Sequence, residues 1–375
     1  MPIYANQDLV AQSDEMEGWN TPLNRRASFH NLHRIIRYGF SVRAPDVLKL
    51  TSCIDARIAE LGSVQQMCSS DFFSAMVVLR GEQLVYEQYA PDFAPHQAHT
   101  IMSITKTMAH LIVGRCVEDG LIDLNAKVRD YLPEIGSGYA DAIIQNVLDM
   151  NIVNDYSEDY SDLHTTALLH NASMGWRLPA ANVRLTSNRD FLCTIGSNDL
   201  LNRSGEVNYK SASTDVLAWI AERVSGQALR DHLIRIVEAA GIEHTFYMST
   251  DHTAVPNTNG GACLSARDLA RLGLIFARRG RGINGKLVGS HTFMDAARRC
   301  TGPTYPPPDN HIHYGNQLKT NGRWVGHGGW GGQLLMVDPE TTTVVVFFSV
   351  LENQSASDDN HSRAIVQMAE EVIGC

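Results

Sequence analysis

The chain lacks long apolar runs and has little positive charge. No stretch of its 375 residues reaches the ~18 consecutive apolar residues that a membrane-spanning helix needs. Residues 1–20 are polar and acidic, without the basic start and apolar segment of a secretory signal. The 41 acidic residues outnumber the 31 lysines and arginines, and the resulting net charge of −10 would repel phosphate backbones. We therefore expect a cytoplasmic protein with no membrane and no nucleic-acid partner.

Metal-binding patterns are also missing. The seven cysteines are scattered and form no C-x-x-C pair, so neither a zinc site nor a disulfide framework is indicated. His311 and His313 stand close together, but no H-E-x-x-H motif accompanies them, and such a loop pair is usually structural or solvent-facing. No G-x-S-x-G motif occurs, which excludes the α/β-hydrolase pattern. We expect neither a metal nor a cofactor.

Both ends of the chain predict strands. Residues 72–90 are expected to form a hairpin, because β-branched runs flank a turn centred on Gly81. A second hairpin is expected over residues 332–352, where an Asp-Pro-Glu turn at 338–340 separates two apolar runs. Residues 357–373 predict a final helix. We therefore expect an antiparallel sheet that is built from both chain ends and flanked by helices.

The middle of the chain predicts a separate helical region. The expected fold class is α/β (α+β), with residues 96–254 forming a mainly helical lobe between two sheet-forming segments, 1–95 and 255–375. Residues 1–45 are expected to be an irregular, partly extended arm. Residues 151–206 are rich in Asn, Ser and Asp and lack clear periodicity, which is typical of a substrate-facing loop.

The strongest chemical signal is Ser103 followed three residues later by Lys106, a spacing that no other serine of the chain shows. Apolar residues then recur at helical spacing, so this segment is expected to open a helix. Residues three apart share a helix face, and the Lys106 amine can therefore reach the Ser103 hydroxyl. The unpaired N–H groups of a first helical turn can bind an oxyanion. The pattern indicates a serine nucleophile for acyl transfer.

A second candidate segment contains Tyr209 and Ser211. Tyr209 stands in a loop that leads into a strongly apolar helix, so its phenol can face a cleft. A neighbouring cationic amine would favour the phenolate form of such a tyrosine. The triplet Tyr-x-Ser is not specific by itself, and its position before the helix is what distinguishes Tyr209.

A third candidate segment is His327-Gly328-Gly329, just before Trp330. Consecutive glycines in an edge strand allow a substrate or another backbone to approach closely. The N–H of Trp330 could then supply a second oxyanion donor. The nearby sequence Lys319-Thr320-Asn321-Gly322 imitates a K-T-G box, but its Asn-Gly pair favours a hairpin turn.

These three segments, in this order, resemble the S-x-x-K serine hydrolases, which comprise penicillin-binding proteins, β-lactamases and related esterases. The resemblance extends from about residue 75 to the C-terminus and is strongest to the class C β-lactamase-like branch. Within that branch the chain resembles the 6-aminohexanoate-dimer hydrolases, through NRRASFHNLHRI in the arm, Tyr-x-Ser at 209–211 and GGACLSARDLARLGLIFARRG at 260–280. The resemblance implies a β-lactamase/transpeptidase-like fold.

The resemblance also implies catalytic roles for three residues. Ser103 would be the nucleophile, and Lys106 the amine that keeps the proton network poised. Tyr209 would act as general base in acylation and would then protonate the leaving amine or alcohol. We expect Lys106 to favour the phenolate form of Tyr209, which removes the Ser103 proton.

The remaining site residues follow from the same resemblance. The N–H groups of Ser103 and Trp330 would form the oxyanion hole. The residues expected to bind substrate are Ser211, His327, Gly328 and Gly329. Ser211 stands where β-lactamases carry an asparagine, and His327 stands where many relatives carry a lysine that neutralises a substrate carboxylate. Both departures favour an esterase or small-amide hydrolase over an antibiotic-hydrolysing enzyme.

We predict an enzyme that hydrolyses small linear amides, of the 6-aminohexanoate-oligomer type, or carboxylic esters through an acyl-serine intermediate. One alternative is a β-lactamase or D,D-peptidase, which the missing export signal disfavours. Another is a non-catalytic penicilloyl-binding or sensing module, which would normally be fused to a membrane or DNA-binding segment. The expected partner is a small-molecule substrate, and a homodimer is left open.

Overall fold

A computed structural model describes residues 13–160, 162, 165–178, 185–283 and 285–375, with side chains from residue 16 onward. Its strands are β1 (Gly39–Val42), β2 (Thr51–Ser52), β3 (Phe73–Arg80), β4 (Gln83–Tyr89), β5 (His99–Thr100), β6 (Phe246–Ser249), β7 (Ala262–Leu264), β8 (His313–Gly315), β9 (Leu318–Thr320), β10 (Val325–Gly329), β11 (Gln333–Asp338) and β12 (Thr343–Ser349). Its α-helices are α1 (Ser13–Gly18), α2 (Pro22–Phe29), α3 (Leu32–Ile35), α4 (Ala56–Glu60), α5 (Gly62–Cys68), α6 (Lys106–Glu118), α7 (Val128–Tyr131), α8 (Ser137–Ala140), α9 (Ile144–Leu148), α10 (Thr166–Ser173), α11 (Asn188–Leu192), α12 (Ser211–Ser225), α13 (Leu229–Ala240), α14 (Ala266–Ala277), α15 (His291–Arg298) and α16 (Asp359–Gly374). Within these ranges, no helix has both the length and the apolar character needed to cross a bilayer.

The larger sheet joins strands from opposite ends of the chain. Its order is β2-β4-β3-β12-β11-β10-β9-β8, and β3 pairs antiparallel with β12, for example through Val78 and Val345. The predicted hairpins are confirmed as β3–β4, with Gly81 in the left-handed region at a φ of 55°, and as β11–β12. The predicted final helix is confirmed as α16. The sheet built from both chain ends is therefore confirmed, and it is antiparallel except at β2, which pairs parallel with β4.

Helices cover both faces of this sheet. β3, β11 and β12 are almost continuously buried, as strands with covered faces are. α14 packs on these three strands, and α16 packs on β11 and β12 together with α5. The approach of α14 is close, since a Cβ on Gly273 would lie 2.5 Å from a methyl group of Val344. The main core lies between these layers.

A smaller sheet, of order β1-β6-β7-β5, leads to the predicted site. β1 pairs with β6 through Phe40 and Met248, and β5 pairs with β7 through Thr100 and Cys263. Strands from all three predicted segments meet in this sheet, and the boundaries between the segments stay a prediction. β5 ends at Thr100, so the small sheet holds the chain just before Ser103.

The N-terminal arm is mostly helical over its described part, which begins at residue 13, so the irregular arm predicted for residues 1–45 is wrong there, whereas an extended part is present as β1. That part forms α1, α2, α3 and β1. Trp19, Phe29 and Leu32 pack in a second apolar cluster that also contains Met102, beside Ser103. Helices this short are not stable alone, so contacts with the rest of the molecule stabilise them, and sequence periodicity could not show those contacts.

Arg25 fastens the arm to the C-terminal part of the chain. Its guanidinium is buried and donates to the carbonyl oxygens of Leu351 and Asn353, at 2.7 and 2.6 Å. It also lies 5.4 Å from the ring centroid of Trp330, a cation–π distance. The basic stretch of the arm is thus a packing element at this position.

Phe29 tests whether the arm is part of the folded core. Phe29→Ala is expected to lower the free energy of unfolding by about 3–5 kcal/mol, because it removes a fully buried aromatic ring and leaves a cavity. Urea denaturation followed by fluorescence measures the change. The control is Leu23→Ala in the same helix, where the side chain is 91% exposed and a change within about 0.5 kcal/mol is expected. Equal stabilities of the two variants would contradict a docked arm.

Candidate active site

Ser103 lies in a short 3-10 helix, Met102–Thr105, which continues into α6 at Lys106. The helix predicted from the sequence is therefore present, with a tighter first turn. Met102 has a φ of 46°, a left-handed conformation that is uncommon for a residue with a side chain. Strained backbone of this kind is often found at functional sites.

The Lys106 amine is completely buried and contacts Ser103. Its Nζ lies 3.1 Å from Ser103 Oγ, 3.0 Å from Ser211 Oγ and 2.6 Å from the carbonyl oxygen of Asn259. Three acceptors match the three N–H bonds of an ammonium group. The structure thus brings together Ser103, Lys106 and Ser211, as the sequence analysis predicted.

Burial lowers the pKa of Lys106 to about 8. The negative charges of Glu158 and Asp215 oppose this shift, and the positive charge of Lys319 adds to it. A lysine with such a pKa is present partly as the free amine near neutral pH, which allows it to accept a proton.

Asp215 fixes the position of Asn259, whose carbonyl oxygen accepts a hydrogen bond from Lys106. It lies buried in α12 and accepts hydrogen bonds from Asn259 N at 3.1 Å, Thr258 Oγ1 at 2.8 Å and Asn188 Nδ2 at 2.9 Å. Burial opposes ionisation, but hydrogen bonds from His170, Asn188 and Asn259 hold the pKa of Asp215 below its usual value. Sequence reasoning missed this residue, because its partners are far away in the chain.

Tyr209 lies two residues before α12, next to Lys106. The Lys106 Nζ is 5.1 Å from the centroid of the Tyr209 ring. The phenol oxygen is buried and makes no hydrogen bond of standard geometry within the described part of the chain. Burial raises the pKa of Tyr209 well above 10, the charge of Glu158 raises it further, and an interaction with Ser103 opposes the rise. The raised pKa contradicts the phenolate expected for Tyr209, because it favours the neutral phenol.

The glycines of β10 allow the strand to pass directly beside Ser103. A Cβ on Gly329 would lie 2.6 Å from the carbonyl oxygen of Ile101 and 3.3 Å from the Cβ of Met102. A side chain at this position would push β10 away from the turn that carries Ser103. Trp330 follows Gly329 immediately, so its backbone is held next to the same turn.

His327 is present in the site but is uncharged. Its ring is 1% exposed, with Nε2 3.1 Å from the Tyr314 hydroxyl and Nδ1 2.6 Å from the Gly328 carbonyl oxygen. Burial, together with the charges of Lys319 and Lys106, holds the pKa of His327 well below 6.5. His327 therefore carries no positive charge that could neutralise a substrate carboxylate.

A cavity of about 530 Å³ opens over these residues. The predicted site residues that line it are Ser103, Tyr209, Ser211, His327, Gly328, Gly329 and Trp330, and Lys106 lies buried directly beneath Ser103. The segment 151–206, predicted to face substrate, lines it with Tyr156, Glu158, Tyr160, His170, Asn171, Met174 and Trp176. The site residues therefore share one cavity.

The cavity lining also includes Glu158, Tyr305 and Lys319, none of which was predicted individually as a site residue. Glu158 accepts a hydrogen bond from the backbone N–H of Ser211. Lys319 stands in the K-T-N-G sequence, which forms the predicted hairpin turn between β9 and β10. The turn prediction is confirmed, and the same hairpin places Lys319 in the cavity.

Comparison with known proteins gives a consistent result. Residues 73–369 match the family model described as Beta-lactamase. The chain is 32% identical over 362 residues to the 6-aminohexanoate-dimer hydrolase of Paenarthrobacter ureafaciens, covering 91% of this chain and 89% of that protein. A solved structure from Bacillus anthracis, provisionally assigned as a 6-aminohexanoate-dimer hydrolase, has a TM-score of 0.81 at 19% identity, over 98% of this chain and 97% of that one. A family VIII carboxylesterase has a TM-score of 0.59 at 14% identity, over 86% and 98% of the two chains. The predicted β-lactamase/transpeptidase-like fold is confirmed.

Asp215→Asn tests the support of Lys106. We expect the free energy of unfolding to fall by about 1–3 kcal/mol, because both carboxylate oxygens accept hydrogen bonds, one from Thr258 and Asn259 N and the other from Asn188, and the amide nitrogen that replaces one oxygen cannot accept. The pKa of Lys106 should also fall, since the Asp215 charge raises it. Urea denaturation and NMR titration of the Lys106 amine measure the two effects.

Asp46→Asn is the matched control, because it makes the same change at an exposed position. It should alter neither quantity. An unchanged Lys106 titration in Asp215→Asn would show that Asp215 does not act on the lysine.

Proposed function

The chain belongs to the beta-lactamase family and is a serine hydrolase of amide or ester bonds, and on this premise we propose that Ser103 is its nucleophile and small linear amides are its substrates. The observation that carries the proposal is the contact between Ser103 Oγ and the buried Lys106 amine, 3.1 Å apart. The relative from Paenarthrobacter ureafaciens is named for the 6-aminohexanoate dimer, a linear amide of an ω-amino acid. We propose the same substrate class here.

Acylation begins with the free-amine form of Lys106. The amine takes the proton of Ser103 as the serine oxygen attacks the substrate carbonyl carbon. The bond between that carbon and the leaving nitrogen or oxygen then breaks. Tyr209, a neutral phenol, donates its proton to the leaving atom, and the phenolate formed lies beside the protonated Lys106. The raised pKa means that Tyr209 enters the reaction protonated, and the neighbouring protonated Lys106 stabilises the phenolate when it forms.

Deacylation reverses these proton transfers. Water attacks the acyl-serine and gives its proton to the Tyr209 phenolate, while Ser103 leaves with the proton held by Lys106. The acid product departs, and both side chains return to their starting forms. We propose that the N–H groups of Ser103 and Trp330 stabilise the oxyanion in both steps, supported by the close approach of Gly329 to the Ser103 turn.

One feature supports linear amides over β-lactams. The Ser211 hydroxyl accepts a hydrogen bond from Lys106 at 3.0 Å, so it serves the proton network where β-lactamases carry an asparagine amide.

We also propose a cytoplasmic location. All seven cysteines are free. Thiols that stay reduced are typical of cytoplasmic proteins, whereas exported proteins often carry disulfides.

Ser103→Ala tests the nucleophile. We expect turnover of p-nitrophenyl acetate and of linear 6-aminohexanoate dimer to fall at least about 10⁴-fold, because the acyl acceptor is removed. Mass spectrometry of acid-quenched wild-type reactions should find the acyl group on the Ser103 peptide. Ser69→Ala, an exposed serine at the end of α5, is the control and should keep full activity. A folded Ser103→Ala protein with wild-type activity would contradict the assignment.

The pH dependence tests the role of Lys106. With a pKa of about 8, about one Lys106 in ten is a free amine at pH 7, and the fraction rises with pH. We expect kcat/KM for p-nitrophenyl acetate to rise from pH 6 to 9 with an apparent pKa near 8. Lys106→Arg, which stays charged, should be inactive throughout this range. A flat profile in the wild type would contradict Lys106 as proton acceptor.

A further inference from the structure

Lys319 is a cation in the cavity without an anion of its own. It lies on β9, opposite Gly326 of β10 and Tyr314 of β8. Its Nζ donates to no acceptor and forms no ion pair with any residue in the described ranges. Its ring neighbour is Tyr305, whose centroid lies 4.5 Å from the Lys319 Nζ.

The surroundings of Lys319 do not neutralise its charge. Burial lowers its pKa to about 8, and the acid that opposes the shift is Asp309. Asp309 itself pairs with Arg363, at 3.3 Å. A partly desolvated ammonium group gains stability when an anion reaches it, because burial of an unpaired charge is unfavourable.

Lys319 points toward the reacting centre. A Cβ on Gly328 would lie 3.7 Å from its Nζ, so the missing side chain of Gly328 leaves the ammonium open to the cavity. The Lys319 charge also lowers the pKa of Lys106 and of His327, as expected from a nearby cation. Lys319 is thus close to the catalytic groups without bonding to them.

A second observation marks the same place. The hydroxyl of Tyr305 is buried and has no hydrogen-bond partner in the part of the chain that the structure describes. Tyr305 lines the cavity beside Lys319. Buried polar groups are normally paired, so an unpaired donor beside an unpaired cation indicates a position for a ligand.

We propose that Lys319 and the Tyr305 hydroxyl bind a carboxylate on the leaving half of the substrate. This inference rests on the proposed function, in which Tyr209 protonates the leaving atom. The Tyr209 ring lies 6.0 Å from the His327 ring, and His327 precedes the Gly328 that faces Lys319. The leaving half therefore extends toward Lys319. Lys319, on the neighbouring strand β9, supplies the positive charge that His327 lacks. The substrate class that follows is an amide whose leaving amine carries a free carboxylate.

Binding to the full-length Ser103→Ala protein tests this inference without turnover. The probes are the linear 6-aminohexanoate dimer and its C-terminal carboxamide, which differ only in the carboxylate. We expect calorimetry to give the dimer a Kd about 10- to 100-fold lower than that of the carboxamide. Hydrogen bonds to charged groups change an affinity by about this factor. Adding Lys319→Met should abolish the preference, and Lys319→Arg should retain part of it.

Lys49→Met is the control, because Lys49 is exposed and outside the cavity, and the preference should remain. Equal affinities for the two probes, no detectable binding of either, or a preference that survives Lys319→Met would each overturn the carboxylate site. Wild-type cleavage of the dimer is measured separately by chromatography. Cleavage without a Lys319-dependent preference rejects the carboxylate site but keeps the proposed amide hydrolysis. A Lys319-dependent preference without cleavage keeps the carboxylate site but rejects the proposed amide hydrolysis.

Discussion

The buried amine of Lys106 is the constraint on which the site depends. An amine removed from water needs an acceptor for each of its N–H bonds, and the acceptors come from three separate parts of the chain: Ser103, Ser211 and Asn259. Asp215 in turn holds Asn259. Packing of the helical region against the small sheet therefore decides whether the lysine is held in place and how readily it loses a proton.

The electrostatics of the site separate two kinds of group. Burial lowers the pKa of Lys106, so that it binds its proton less strongly than an ordinary lysine does. Burial also favours the neutral forms of Tyr209 and His327. Near neutral pH, a fraction of the molecules therefore holds a free amine and a phenol side by side. Proton transfer in both directions then requires no external base. Lys319 adds a positive charge nearby, which further disfavours the protonated form of Lys106.

The sequence predicted the parts of the molecule that local patterns determine. Three such features are present: serine and lysine three residues apart, the turn at Gly81, and the hairpin between β9 and β10. They follow from residue spacing and turn chemistry. The helices of the arm were missed, because distant contacts stabilise them. The protonation of Tyr209 was also missed, since it depends on burial and on Glu158, and neither can be obtained from neighbouring residues.

The arm has a consequence for how the protein comes into existence. Arg25 and Phe29 are synthesised long before the segment that they contact, from Trp330 to Asn353. β3 must likewise wait for β12. Folding during translation therefore cannot complete either the sheet or the cavity until synthesis has passed these residues. Chaperones have more opportunity to act on such a chain than on one whose contacts are local.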